Sequence, residues 1–224
     1  KIKPHEIYNL GAQSHVSDSF ETPEYTANTD AMGTLRILEA IRSLGLVGKT
    51  KLYQASSSEI FGKTNKFPIK LNSPFSPVSP YGTSKLFSYW IINNYRKAYN
   101  IFASNGILFN HESPRRGENF ITRKVTRAVA KIFHGYNEVL YIGNLNAERD
   151  WGHAKDFVIG MHKILQQKEP NDFLLSTGRS YSVKKLVEVA YLCIGIKIKW
   201  DGKGIKEVGI DQKTKKILIK IDKN

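Results

Sequence analysis

The chain has 224 residues, 41% of them hydrophobic and 24% charged, enough for one sizeable core or for a domain with a smaller lobe. No apolar stretch approaches the roughly 18 residues of a membrane span, and the start, Lys-Ile-Lys-Pro-His, has no secretory pattern, so a cytoplasmic protein with no membrane partner is expected. Lone Cys193, inside the apolar run Leu186 to Ile196, excludes an internal disulfide and a Cys-based zinc cluster, so it reads as a core residue and no metal is expected. A formal charge of +14 fits a nucleic-acid binder or a solvated basic surface with a pocket for a diphosphate. The second reading is preferred and no nucleic acid is expected. The lysines are dispersed, and the densest runs, Lys184-Lys185 and Lys213 to Lys216, lack interleaved aromatics for stacking bases.

Along the chain, short runs rich in β-branched and aromatic residues alternate with segments of helical period, the pattern of βα units and a mainly parallel sheet. The first run is Glu6 to Leu10. Met32, Leu35, Leu38 and Ile41 then recur at helical spacing, closed by Gly45. Lys51 to Ala55 reads as a strand, Pro80 to Tyr99 as a helix and Ala103 to Phe109 as a strand. Ile121 to His134 reads as a helix, Val139 to Gly143 as extended, Lys155 to Gln167 as a helix, Phe173 to Thr177 as extended and Val183 to Gly195 as a helix. From Ile196 the tail alternates Ile with Lys around a Gly-rich turn region, which predicts a small two-stranded element with one exposed face. No Gly-x-Gly-x-x-Gly turn follows any of these strands, and Gly202, Gly204 and Gly209 have the wrong spacing. The loop that would cradle a dinucleotide pyrophosphate is therefore not in this sequence, and the chain reads as a fragment.

Tyr81 and Lys85 lie four apart in a helical segment and project from one face. A phenol titrating at about 10 is a poor base at neutral pH, and a neighbouring ammonium lowers that value, so the pair suits proton transfer. The spacing alone is weak, because Tyr181 and Lys185 repeat it. Context separates the two copies. Ser56-Ser57-Ser58-Glu59 ends the strand before the first copy, at a strand carboxyl end where open α/β sheets place ligands. A carboxylate there can take a carbon-bound proton and a hydroxyl can help a leaving group, whereas in isolation the serines would make turn bonds and Glu59 would be solvated.

Four segments carry a resemblance. They are Tyr53 to Gly62 (YQASSSEIFG), Ser79 to Lys85 (SPYGTSK), Gly106 to Gly117 (GILFNHESPRRG) and Arg149 to Asp156 (RDWGHAKD). Together they resemble the GDP-mannose 4,6-dehydratase family of extended short-chain dehydrogenases, with the Asn-His-Glu-Ser-Pro-Arg-Arg-Gly string the most specific part. The resemblance implies an α/β, Rossmann-like doubly wound parallel sheet lacking its N-terminal part, with a smaller C-terminal substrate-binding lobe. The expected partial NADP-binding domain is 1–109 with about 150–180, and the lobe is about 110–149 with 181–224. It also implies a lyase that converts GDP-D-mannose to GDP-4-keto-6-deoxy-D-mannose through NADP. Tyr81 and Lys85 would act at the C4 hydroxyl, and Glu59 and Ser57, which stands where the family commonly has Thr, would act in the loss of water. Cofactor contacts are expected from Leu10, Gly11, Ala12, Gln13, Ser14, Tyr25, Tyr81, Lys85, His111 and Arg116, and substrate contacts from Ser57, Asn110, Lys124 and Arg149. A homo-oligomer, dimer or tetramer, is implied, with the Arg115-Arg116 loop at its interface. Trp151, by itself, reads as a core residue.

Two other readings compete. Another extended short-chain dehydrogenase, such as a sugar-nucleotide epimerase or a dehydratase for a different nucleotide sugar, would share Tyr81 and Lys85, but an epimerase needs no carboxylate at Glu59. A non-catalytic scaffold would use the basic surface to hold polyanions, and its binding would weaken steeply with salt.

Overall fold

A computed structural model describes residues 2–64 and 67–222. The expected domain boundaries also take in residues 1, 65, 66, 223 and 224, which lie outside the described residues. The chain divides into two compact units, Lys1–His111 with Ala154–Ser176 and Glu112–His153 with Thr177–Asn224.

The first unit is built on a four-stranded sheet ordered Glu6–Asn9, Lys51–Ser57, Ala103–Leu108 and Asp172–Leu175, parallel throughout. Successive strand residues point to opposite faces, so Leu52 and Tyr53 feed different cores. On Leu52's side the helices Gly33–Ser43 and Pro80–Tyr99 bury Leu38, Ile41, Ile92 and Tyr95. On Tyr53's side the helix Ala154–Leu165 buries Phe157, Met161, Ile164 and Leu165. Each fully buried aliphatic side chain of this kind contributes about 1.5–3 kcal/mol. Helices on both faces of a parallel sheet are the doubly wound arrangement.

Local chemistry sets the helix ends. Ser79 caps Pro80–Tyr99 by accepting the Gly82 N–H at 3.0 Å, and Pro80 opens the first turn, where a missing N–H costs nothing. Gly33–Ser43 stops at Gly45, whose φ of 63° lets the Leu46 N–H fold back to the Ile41 carbonyl. Ahead of that helix, where no element is expected from sequence, lie the short helices Val16–Glu21 and Pro23–Thr26 and a π-helical turn, Ala27–Met32.

The second unit packs the helices Ile121–Phe133 and Val183–Leu192 on a sheet ordered Leu140–Ile142, Ile217–Ile221, Val208–Asp211 and Ile198–Asp201. The expected two-stranded tail is thus three strands joined to a fourth from earlier in the chain. Val208–Asp211 lies inside the region read as a turn because of its glycines. Gly209 is there for packing instead: a Cβ on it would meet Ile219 Cδ1 at 2.6 Å and the Trp200 ring at 3.1 Å. Cys193 is also corrected. It is exposed at the C-cap of Val183–Leu192, two positions beyond Tyr191 and off the stripe that buries Val183, Val187 and Tyr191. Trp151 packs against the second unit's core, half-buried, on the strand Glu148–His153. Among the described residues no helix is long and apolar enough to cross a membrane.

Candidate active site

Because the first unit's sheet is parallel, its strand ends collect on one edge. The turn 10–14 leaves Glu6–Asn9 there, Ser57-Ser58-Glu59 leaves Lys51–Ser57, and Phe109-Asn110-His111 leaves Ala103–Leu108. Asn9 lies opposite Gln54, and Ser57 lies opposite Leu108. That is the edge at which open α/β sheets bind ligands.

The helix Pro80–Tyr99 starts against this edge. A Cβ on Gly82 would sit 2.8 Å from the Glu59 carbonyl oxygen, so the glycine is what lets the first helical turn approach the Ser57–Glu59 segment. Tyr81, Lys85, Ser88, Ile92 and Tyr95 form its buried stripe, so the Tyr-Lys pair continues the face that packs on the sheet. Tyr81 is 8% exposed and Lys85 is 3% exposed. The Lys85 ammonium donates to the Ala55 carbonyl at 3.0 Å and lies 5.8 Å from the centre of the Tyr81 ring. Burial lowers the Lys85 pKa, and the Asp30 carboxylate opposes that shift. Ser57 is buried, and its Oγ accepts the Glu59 N–H at 3.2 Å, a turn bond that leaves the hydroxyl proton to donate. Glu59 is half-buried.

The second Tyr-Lys copy has a different setting. Tyr181 sits on the strand Ser180–Ser182, 46% exposed, and Lys185 on the following helix beside Glu188 with its side chain 58% exposed. The two are not on one helical face.

Of the expected cofactor contacts, Leu10, Gly11, Ser14 and Tyr25 are exposed, while Ala12 and Gln13 are half-buried. The Gln13 N–H donates to Asp30 Oδ1 at 2.7 Å. His111 points Nδ1 at the Phe109 carbonyl, 2.8 Å away, and stacks on Phe157 at 4.8 Å. If Nδ1 carries the proton, Nε2 is left as an acceptor. Asn110 is half-buried at the start of the short strand Asn110–Glu112.

The remaining expected residues belong to the second unit. Arg116 lies 3.3 Å from Glu112 Oε2 and stacks at 3.5 Å over Phe120, so its charge already has a partner within the chain, while Arg115 is exposed. Lys124 is exposed and lines a cavity of about 280 Å³ with Glu118, Arg127, Lys131 and Glu138. Arg149 is exposed and bonds the Glu148 carbonyl. Its neighbour Asp150 is buried and accepts from the backbone N–H groups of Thr177 and Gly178 and from the Thr177 hydroxyl. A larger cavity of about 470 Å³, lined by Tyr141, Ile205 and Lys220 among others, holds none of the expected site residues.

Sequence reasoning missed Asp30, which is 1% exposed on the π-helical turn. A signal was present. Asp30 and Thr34 continue backward the stripe of Leu38 and Ile41, which marks them as buried polar groups. Beneath the same turn, Asn9 donates to Gln54 at 2.6 Å, and the Thr34 hydroxyl lies 3.2 Å from the same Gln54 oxygen.

A doubly wound parallel sheet, with a buried Tyr-x-x-x-Lys helix meeting a hydroxyl-and-carboxylate cluster at the carboxyl edge, defines the class of extended short-chain dehydrogenases. The structure of RMD from Pseudomonas aeruginosa complexed with NADPH shares this fold, with a TM-score of 0.84 at 20% identity over 98% of this chain and 69% of that one. The family model for GDP-mannose 4,6 dehydratase matches residues 1–224, and the chain belongs to that family. The GDP-mannose 4,6-dehydratase of Sinorhizobium fredii (strain HH103) is 58% identical over 99% of this chain, and the GDP-mannose 4,6 dehydratase of Homo sapiens is 55% identical over 99%. The chain spans about three fifths of the length of these curated relatives, 63% and 60% respectively.

Proposed function

We propose that this chain carries the catalytic part of a GDP-mannose 4,6-dehydratase, a carbon–oxygen lyase that converts GDP-D-mannose to GDP-4-keto-6-deoxy-D-mannose and water. The observation that carries this reading is the buried Lys85 ammonium, held on the Ala55 carbonyl beside Tyr81, on the helix whose first turn rests on the Glu59 backbone. Relatives named for this reaction supply the substrate.

The residues suit the nicotinamide end of a dinucleotide. The turn 10–14 exposes small residues at the ligand edge, and among the described residues Lys85 donates to the Ala55 carbonyl, which leaves ammonium protons for ribose hydroxyls. NADP, when bound, would accept hydride from C4 and return it to C6. The chain's own part is proton handling. The Lys85 charge favours the Tyr81 phenolate, which takes the proton of the C4 hydroxyl as C4 becomes a ketone. The ketone acidifies the C5 proton, and Glu59 takes it. Ser57 and Glu59 assist departure of the C6 hydroxyl as water, and a proton returns to C5 when hydride reaches C6.

The same reading makes the first unit the partial NADP-binding domain and the second the substrate-binding lobe. Asn110, Lys124 and Arg149 are assigned to the GDP moiety, and Gly11, Gln13, Tyr25, His111 and Arg116 to the cofactor. It further makes the protein a cytoplasmic homo-oligomer, with exposed Arg115 directed to a neighbouring subunit.

The test is isotopic. Full-length protein is given GDP-mannose carrying deuterium at C4. The reading expects the deuterium at C6 of the 4-keto-6-deoxy product, without washout to solvent. Recovery of a C4 epimer, or of no product from protein that binds GDP-mannose, would contradict it.

A further inference from the structure

Lys85 poses an electrostatic problem that the Tyr-Lys motif does not solve. Its ammonium is buried, and its hydrogen-bond partner, the Ala55 carbonyl, carries no charge. A charge in such a place costs several kcal/mol unless an opposite charge offsets it. The Tyr81 ring centre lies 5.8 Å from the ammonium, and the Asp30 carboxylate favours its charged form.

Asp30 is buried as deeply as Lys85 and tied to three parts of the site. Its Oδ1 accepts the Gln13 N–H from the turn after the first strand at 2.7 Å. Its backbone carbonyl accepts the hydroxyl of Ser88, one turn beyond Lys85, at 2.7 Å, and that of Thr34 at 2.9 Å. Among the described residues its Oδ2 is buried with no hydrogen-bond partner, and its charge favours the Lys85 ammonium through space. Burial raises the Asp30 pKa, and the Lys85 charge and the Gln13 N–H oppose that rise, so each group favours the charged form of the other.

We propose that Asp30 is a positioning residue of the reaction, whose buried carboxylate keeps Lys85 protonated beside Tyr81 and ties the 10–14 turn to the catalytic helix. The proposal rests on the dehydratase reading for its link to turnover, but not for its link to Lys85.

The experiment uses the full-length protein and its Asp30→Asn variant, which removes the charge while keeping the volume and an acceptor for the Gln13 N–H. With ¹⁵N-lysine labelling, the Lys85 side-chain resonance, assigned by its loss in Lys85→Met, is titrated without substrate, and the pH profiles of kcat and KM for GDP-mannose follow. Asp30→Asn should move Lys85 deprotonation and the alkaline limb of kcat down by about one pH unit, with KM nearly unchanged. Asp30→Glu should restore part of the shift. A Lys85 titration and kcat profile that superimpose on the parent's would overturn the proposal. If Asp30→Asn does not fold, the ¹³C carboxyl titration of Asp30 in Lys85→Met decides, because the coupling is mutual. Asp30 should then protonate about one unit higher than in the parent, and an unmoved titration would overturn the proposal. Parent protein that makes no dehydrated product would defeat the dehydratase reading alone, since the Lys85 titration needs no substrate.

Discussion

Tyr53 and Gly106 show how one residue's surroundings escape a sequence. Tyr53 is fully buried, its hydroxyl has no hydrogen-bond partner among the described residues, and burial pushes the phenol well above its ordinary pKa. The ring lies over Gly106 on the next strand, where a Cβ would meet the Tyr53 hydroxyl oxygen at 2.1 Å. Alternation predicts that Tyr53 faces one side of the sheet, but not that a glycine makes its space. Tyr53→Phe removes an unsatisfied buried hydroxyl and should keep or raise stability, by up to about 1 kcal/mol. Gly106→Ala overpacks the same spot and should cost roughly 1–3 kcal/mol. Denaturant midpoints of the two variants check this; a clear loss in Tyr53→Phe would mean that the hydroxyl has a partner. The shared face of Tyr81 and Lys85 was legible because their spacing is local. Asp30 was harder to see, because its burial depends on the π-helical turn and on Ser88 from another helix.

Among the elements, the long helices and the four parallel strands follow the hydrophobic period closely. The strand Glu148–His153 does not, because its ladder to Ser180–Ser182 sets three consecutive charged residues, Glu148, Arg149 and Asp150, against Ser182, Tyr181 and Ser180. The last strand of the parallel sheet owes its seat to Asp172, which looks in the sequence like a loop acid. Asp172 accepts from Tyr89 at 2.9 Å, Asn93 at 3.1 Å, Arg96 at 2.7 Å and Asn105 at 2.9 Å, linking Asp172–Leu175 to the helix Pro80–Tyr99 and the neighbouring strand. Burial alone would raise its pKa, but the bonds from Arg96, Asn105 and Tyr89 outweigh that and lower it. A carboxylate whose folded pKa is depressed stabilises the fold above its unfolded value of about 3.9, and that contribution is lost as pH falls through the folded pKa. Stability of the parent should therefore fall as pH drops below about 4. Asp172→Asn should lose roughly 3 kcal/mol at neutral pH, because Arg96 is left half-paired, and should show a shallower acid decline. Urea melts at several pH values measure both, and an unchanged acid slope in the variant would remove Asp172 from this role.

At the scale of the whole molecule, alternating strand and helix patterns were enough for a mainly parallel α/β sheet, and the four long motifs pointed to the family and, through it, to the doubly wound arrangement. The tail was not legible in full. Val208–Asp211 carries Gly209 for packing under Ile219 and Trp200, and the last strand, Ile217–Ile221, joins Leu140–Ile142 through a pairing that spans nearly eighty residues. Composition supplied little of the function, since +14 suits a polyanion surface as well as a diphosphate pocket. Glu59→Gln tests most directly whether Glu59 acts after Tyr81 and Lys85 in one redox-neutral cycle. The amide keeps nearly the volume and hydrogen-bonding reach of the carboxylate but cannot accept the C5 proton. Full-length Glu59→Gln is mixed with GDP-mannose while reduced nicotinamide, dehydrated product and ligand affinity are measured separately. Reduced nicotinamide should accumulate, product should form about 10²–10⁴-fold more slowly, and affinity should stay within a few-fold of the parent. Product formation within a few-fold of the parent would show that Glu59 is a solvated turn acid and that the proposed cycle is wrong.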